Sequence, residues 1–204
     1  YTEFYQKYGQ KYPEKGYGGT FQNWIFAENP QPYNSWGNGS AMRVSPVAYI
    51  FDDINDVLDE AKKSAEVTHN HPEGIKGAQA IAAAIFLANN DIDKAGIKDY
   101  VQKKFDYDLN RKIDDIRKTY KFDVSCQGSV PESIIAFFES TDFESAIRLA
   151  ISLGGDADTL AAMAGAIAEA FYKEIPPFML KECKNRLPNE FLKVIDDFYD
   201  KYIA

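Results

Sequence analysis

The stretch Gly154-Gly155-Asp156-Ala157-Asp158-Thr159-Leu160-Ala161-Ala162-Met163-Ala164-Gly165 joins two unlike pieces. Its first half is glycine, carboxylate and hydroxyl. Its second half is small and apolar at helical spacing. The glycine pair breaks the chain, and Asp158 or Thr159 restarts it as a helix over Leu160–Tyr172. The segment before it is helical too. Asp142 caps Phe143–Ser152, and Glu144 and Arg148 stand four apart as a supporting pair. A phosphatase-type Asp-x-Asp nucleophile should follow a hydrophobic strand, so this context excludes it. An EF-hand loop needs more carboxylates and a terminal Glu, which are missing.

Helical patterning continues outward in both directions. Ile54, Val57, Leu58 and Ala61 place an amphipathic helix over Asp53–Ala65. Pro72 opens a small-residue helix, Glu73–Ala88, that stops at Asn89-Asn90-Asp91. Asp93–Lys104 is a polar helix and Leu109–Thr119 a weaker one. Asp123–Val130 reads as a loop, after which Pro131 starts the helix Glu132–Glu139. Pro176-Pro177 ends the stretch after Tyr172, and Pro188 opens a last helix to about Tyr202. The first forty residues, rich in glycine and aromatics, read as loop after a short opening run, with one helix near Thr20–Phe26. Only Phe122–Val124 hints at a strand. The expectation is an all-α, compact and irregular fold, one domain over residues 1–204.

Composition narrows the class. The 204 residues are 45% hydrophobic and 26% charged, with a net charge of −8. That is a globular balance, not a disordered one. No apolar run is long enough for a transmembrane helix. The acidic charge argues against binding nucleic-acid backbone. Cys126 and Cys183 cannot build a disulfide framework and read as reduced thiols, which fits a cytoplasmic protein.

Three clusters could carry chemistry. Asp156, Asp158 and Thr159 offer hard oxygens within four residues, the donors that Mg²⁺, Mn²⁺ or Ca²⁺ prefer. The plainer alternative is a helix cap beside a solvated Asp. In Tyr33-Asn34-Ser35-Trp36-Gly37-Asn38-Gly39-Ser40-Ala41-Met42-Arg43-Val44-Ser45-Pro46, Gly37, Gly39 and Ser40 would expose backbone N–H groups to an anion if a helix begins near Ala41. The alternative there is a turn at Asn38-Gly39. Thr68-His69-Asn70-His71-Pro72 holds both histidines. Nothing completes a zinc site, and the ββα context of an HNH nuclease is absent. A histidine bound to a ligand or to a helix N-terminus is the expectation.

In order and separation, Gly37–Pro46, Thr68–Pro72, Ser129–Phe138 and Gly154–Thr159 resemble the ADP-ribosylglycohydrolase family. The resemblance runs from about Gly9 to about Pro176. It implies an all-α fold with two Mg²⁺ or Mn²⁺ ions in a cleft. It also implies hydrolysis of the bond between ADP-ribose and a modified protein side chain. By the same resemblance, Asp156, Asp158 and Thr159 correspond to one half of the metal site. Gly37, Asn38, Gly39 and Ser40 correspond to the loop that holds the ADP-ribose phosphates, and His69 to a histidine that touches the ligand.

The family's other metal half, a Thr-Asp-Asp-Thr-type segment with the acidic residue near the reacting centre, has no counterpart here. The chain opens at Tyr1 inside an amphipathic run. The expectation is therefore an N-terminally incomplete domain with no identified catalytic residue. Its hydrolysis and divalent binding should be weak on its own, and an exposed apolar groove could support a homo-oligomer. Lys173 stands where relatives often have glycine and reads as a local loop change. The alternative function is a non-catalytic relative or fragment that binds ADP-ribose or is purely structural.

Overall fold

Small side chains decide which helices occupy the middle of the molecule. The computed structural model describes residues 1–203. Its α-helices run α1 Thr2–Lys11, α2 Gly19–Ile25, α3 Gly39–Met42, α4 Ile54–Glu66, α5 Pro72–Asn89, α6 Lys94–Phe105, α7 Ile113–Thr119, α8 Cys126–Glu139, α9 Phe143–Ser152, α10 Ala157–Tyr172, α11 Pro177–Arg186 and α12 Asn189–Tyr202. A 3-10 turn covers Ser45–Tyr49. No strand forms among the described residues, only an isolated antiparallel bridge between Gly37 and Ser125. The fold is all-α, as the sequence predicts.

α5, α8 and α10 are apolar nearly all round and form the centre. α4 packs on α5, and α9 packs on α10. α4 is one-sided by comparison: Val57, Leu58, Ala61 and Ala65 are buried, while its charged residues face out. Fully buried Ile81, Ile85, Phe137, Ile134, Leu160 and Met163 fill the space between these helices. Each contributes about 1.5–3 kcal/mol by leaving water. The glycines set the helix separations. A Cβ on Gly77 of α5 would lie 2.4 Å from Cys126 Sγ of α8, so the two helices meet at this point only because position 77 has no side chain.

Several expected boundaries move, each for a local reason. The opening run extends to a ten-residue helix, α1. α8 begins at Cys126 rather than at Pro131, because the Ser125 hydroxyl caps the chain by accepting from Gly128 N at 3.1 Å. Pro131 is then an interior proline, buried in the helix, where it lacks one N–H donor. α7 starts at Ile113, not Leu109, because the Asp108 carboxylate takes the Asn110 N–H in a turn at 3.0 Å. Pro177 opens a further helix, α11, which the sequence reading missed. Proline at a first helical position gives up an N–H that had no acceptor. α11 and α12 bury no residue fully. α12 leans on α1 through Phe191, whose ring lies 5.5 Å from Tyr8 and 5.2 Å from Tyr12. Between α10, α11 and α12 lies an open groove of about 910 Å³ lined by Ile175, Leu180, Ile195 and Tyr199.

No helix among the described residues is long and apolar enough to cross a membrane. Both cysteines are free thiols, Cys126 buried and Cys183 exposed.

Candidate functional site

The glycine loop reaches its place through hydrogen bonds from three directions. Asn38 N donates to Val124 O at 2.7 Å, and Cys126 N donates to Trp36 O at 2.9 Å. These two bonds tie the loop to the start of α8. The Ser40 hydroxyl donates to Gly74 O of α5 at 2.7 Å. The Asn38 side-chain amide donates to Asp156 Oδ2 at 2.7 Å, which ties the loop to α10. The segment from Tyr33 to Met42 is thus pinned against all three central helices.

The acidic turn follows from two left-handed glycines. Gly154 and Gly155 have φ of +72° and +65°, a region L side chains enter at a cost. They turn the chain so that α10 begins at Ala157, with Asp156 in the N-cap position and Asp158 in its first turn. Asp156 makes no side-chain cap bond, so the plain capping alternative fails for this residue. Its carboxylate faces Asn38 instead. Burial pushes the Asp156 carboxyl above its ordinary value, the Asn38 amide pulls it back, and Asp158 beside it pushes it up again. Asp158 is exposed and accepts its neighbour Thr159 N at 3.0 Å. Thr159 is buried, and its hydroxyl donates towards Met42 Sδ at 3.6 Å, which leaves its oxygen lone pairs available.

The two histidines divide. His71 Nδ1 accepts from Glu73 N at 3.1 Å and caps α5, with Pro72 behind it at the first helical position. His69 is buried and belongs to the loop. A Cβ on Gly39 would lie 3.3 Å from His69 Nε2, and one on Gly37 would lie 3.5 Å from it. The glycines therefore keep that nitrogen uncovered. Burial, and secondly the Arg43 charge, push the His69 imidazole down to about 3, so the ring is neutral at physiological pH.

Most of the residues singled out in the sequence meet here: Gly37, Asn38, Gly39 and Ser40 on the loop, His69 against it, and Asp156 and Thr159 across from it, with exposed Asp158 between those two in the same turn. One detail differs from expectation. The loop's N–H groups are not all free. Gly37 N donates to Ser35 Oγ at 3.1 Å, and Asn38 N is held by Val124. Gly39 and Ser40 head α3, where first-turn N–H groups lack carbonyl partners. Sequence reasoning also passed over Trp36, Phe122 and Val124, which are 54%, 70% and 52% exposed beside the bridge between Gly37 and Ser125. Large apolar side chains left open next to a polar loop are the signal that would have found them.

The donor chemistry of the acidic turn fits a hard divalent ion such as Mg²⁺ or Mn²⁺. The protein donors are two carboxylates and one hydroxyl. No group of three or more His, Cys, Asp or Glu that could hold a metal forms among the described residues.

Comparison with known proteins bears on the fold and the family. The chain is 28% identical to the ADP-ribosylhydrolase ARH3 of Gallus gallus, over 86% of this chain and 64% of that protein. It is 31% identical to the ADP-ribosylarginine hydrolase Tri1 of Pseudomonas putida, over 67% of this chain and 38% of that protein. The chain thus spans less than two thirds of the length of these relatives. A solved structure described as an ADP-ribosylglycohydrolase-related protein complex superimposes with a TM-score of 0.67 at 24% identity, covering 86% of this chain and 66% of that one. That likeness concerns the fold. The family model described as ADP-ribosylglycohydrolase matches residues 3–203, nearly the whole chain, and the protein belongs to the ADP-ribosylglycohydrolase family.

Proposed function

We propose that the protein takes part in hydrolysis of the glycosidic bond between ADP-ribose and a modified protein side chain, with Mg²⁺ or Mn²⁺ as cofactor. The observation that carries this reading is the 2.7 Å bond from Asn38 to Asp156, which sets the glycine loop and the acidic turn side by side. ADP-ribose needs both: a pyrophosphate asks for N–H donors, and ribose hydroxyls ask for hard, charged partners. Gly39 and Ser40 supply N–H groups at the head of α3. His69 offers a neutral ring nitrogen beside them. Trp36 presents an exposed aromatic face on which a purine can stack. Asp156, Asp158 and Thr159 would hold the divalent ion, which when bound supplies Lewis acidity and positive charge next to the sugar.

Among the described residues, no group of three or more His, Cys, Asp or Glu gathers to hold a second ion. That observation favours a second reading, in which this domain binds ADP-ribose without hydrolysing it. The two readings separate in one experiment. ADP-ribosylated protein is incubated with the protein and Mn²⁺, and released ADP-ribose is measured alongside ADP-ribose affinity. Release supports the hydrolase, affinity without release supports the binding module, and absence of both overturns the reading of the cleft.

A further inference from the structure

Arg43 is an unusual cation. Its guanidinium is largely enclosed, yet its partners are neutral. One Nη donates to Ser64 O at 3.1 Å and to the Thr68 hydroxyl at 2.8 Å. Its carbon lies 4.2 Å from the centre of the Tyr5 ring, and its Nε is buried with no acceptor. Holding a charge in such a place is unfavourable unless the charge is needed for something.

Thr68 explains what that is. Its hydroxyl is fully buried and makes three hydrogen-bond contacts, to the Arg43 guanidinium, Ala65 O at 3.5 Å and His69 Nδ1 at 2.7 Å, with the Tyr33 hydroxyl as a more distant polar neighbour. A guanidinium has donors only. Thr68 Oγ1 must therefore accept from Arg43, and its single proton is left for Ala65 O, His69 Nδ1 or the more distant Tyr33 oxygen. The contact to Ala65 is at the outer limit of a hydrogen bond, and the contact to His69 is short. Nδ1 then accepts, and the ring's own proton sits on Nε2. Nε2 is the nitrogen that Gly37 and Gly39 leave uncovered.

We infer that Arg43 and Thr68 are positioning residues whose hydrogen-bond chain fixes His69 as the Nε2–H tautomer, presenting a fixed N–H donor to the ligand in the glycine loop. A neutral lone pair at Nε2 would repel phosphate or hydroxyl oxygen, whereas an N–H attracts it. The same assignment removes His69 as a metal ligand or as a general base at that nitrogen. The ligand's identity rests on the ADP-ribose reading; the tautomer does not.

The test is ¹⁵N NMR of the protein labelled in histidine, with His71→Gln used to assign the two rings. The expected result is a pyridine-type Nδ1 and a pyrrole-type Nε2 for His69. A pyrrole-type Nδ1 in the unmodified protein would overturn the inference with no variant needed. Thr68→Val should turn the ring into a mixture of tautomers and weaken ADP-ribose binding about five- to tenfold, the value of one lost neutral hydrogen bond. Thr68→Ser, which keeps the hydroxyl, should restore both. Arg43→Met should also mix the tautomers, since without the guanidinium donor the Thr68 hydroxyl is free to turn its proton away from Nδ1. A folded Thr68→Val protein that keeps a pure Nε2–H ring contradicts the relay. A pyrrole-type Nε2 that Thr68→Val scrambles, in a protein that binds no ADP-ribose, upholds the relay and overturns the functional reading instead.

Discussion

Asn38 and Asp156, 118 residues apart in the chain, meet side chain to side chain at 2.7 Å. This contact joins the loop that precedes α3 to the turn that opens α10. Asn38 is buried, so its amide is held in one orientation with its N–H₂ aimed at the carboxylate. A carboxylate oriented in this way has one oxygen engaged and the other free for a cation.

Replacing Asn38 by Ala should therefore loosen the acidic turn without touching its donors. We expect Mn²⁺ affinity to fall about 10- to 100-fold, the usual effect of losing an outer partner of a metal ligand. Titration calorimetry with Mn²⁺ measures this directly. Unchanged affinity would mean that Asp156 is oriented by the glycine turn alone.

Acid should destabilise the fold through His69. Its pKa is pushed down to about 3 in the folded protein, from an ordinary 6.5. Below 6.5 the unfolded chain binds a proton that the folded one refuses, so stability is lost as pH falls from 6.5 towards 3. The slope from this group approaches about 1.4 kcal/mol per pH unit within that window. Urea denaturation at pH 7, 6 and 5 should show it, and His69→Gln should flatten it. An equal slope in both proteins would show that other groups carry the acid sensitivity.

Lys173 ends α10 in the left-handed region, with φ of +56°. The sequence marked this position only as a departure from a common glycine, and the backbone gives the reason for that glycine. Lys173→Gly should relieve about 1 kcal/mol of strain. Against this stands the exposed pair from Lys173 to Asp91 at 2.5 Å, worth at most about 1 kcal/mol. Thermal unfolding should show an equal or higher midpoint, and a clear drop would mean that the ion pair outweighs the strain.

At Gly77, even one methyl should be felt. Gly77→Ala would bring a Cβ to 2.4 Å from Cys126 Sγ, and we expect a loss of about 1–3 kcal/mol from overpacking. Adding Cys126→Ala should recover part of that loss, because the two changes share one space. Strictly additive losses in denaturant titrations would contradict the close α5–α8 contact.

The central helices and the site loops were legible in the sequence, and the periphery was less so. Glu73–Ala88 and Leu160–Tyr172 carry continuous small apolar runs bounded by proline, glycine and asparagine, signals that need no tertiary context. The convergence of Gly37–Ser40, His69 and Asp156–Thr159 was legible only as motif order, because no local pattern says that Asn38 will reach Asp156. Pro131 reads as the start of α8, whereas the Ser125 cap and the burial of Cys126 set the true one five residues earlier. α11 was missed because it buries nothing fully and so leaves no strong periodic stripe. The relay from Arg43 through Thr68 to His69 joins one element to another and has no signature in either segment.

Asp158→Asn tests the cleft most directly, measured as release of ADP-ribose from ADP-ribosylated protein with added Mg²⁺ or Mn²⁺. Asp158 is exposed and makes no bond beyond its own helix turn, so the fold should survive, as an unchanged thermal midpoint would verify. Release should fall by orders of magnitude, because the charge that would hold the cation is halved at its open side. Full release by a normally folded Asp158→Asn protein would contradict that reading and leave the acidic turn as nothing more than the start of a helix.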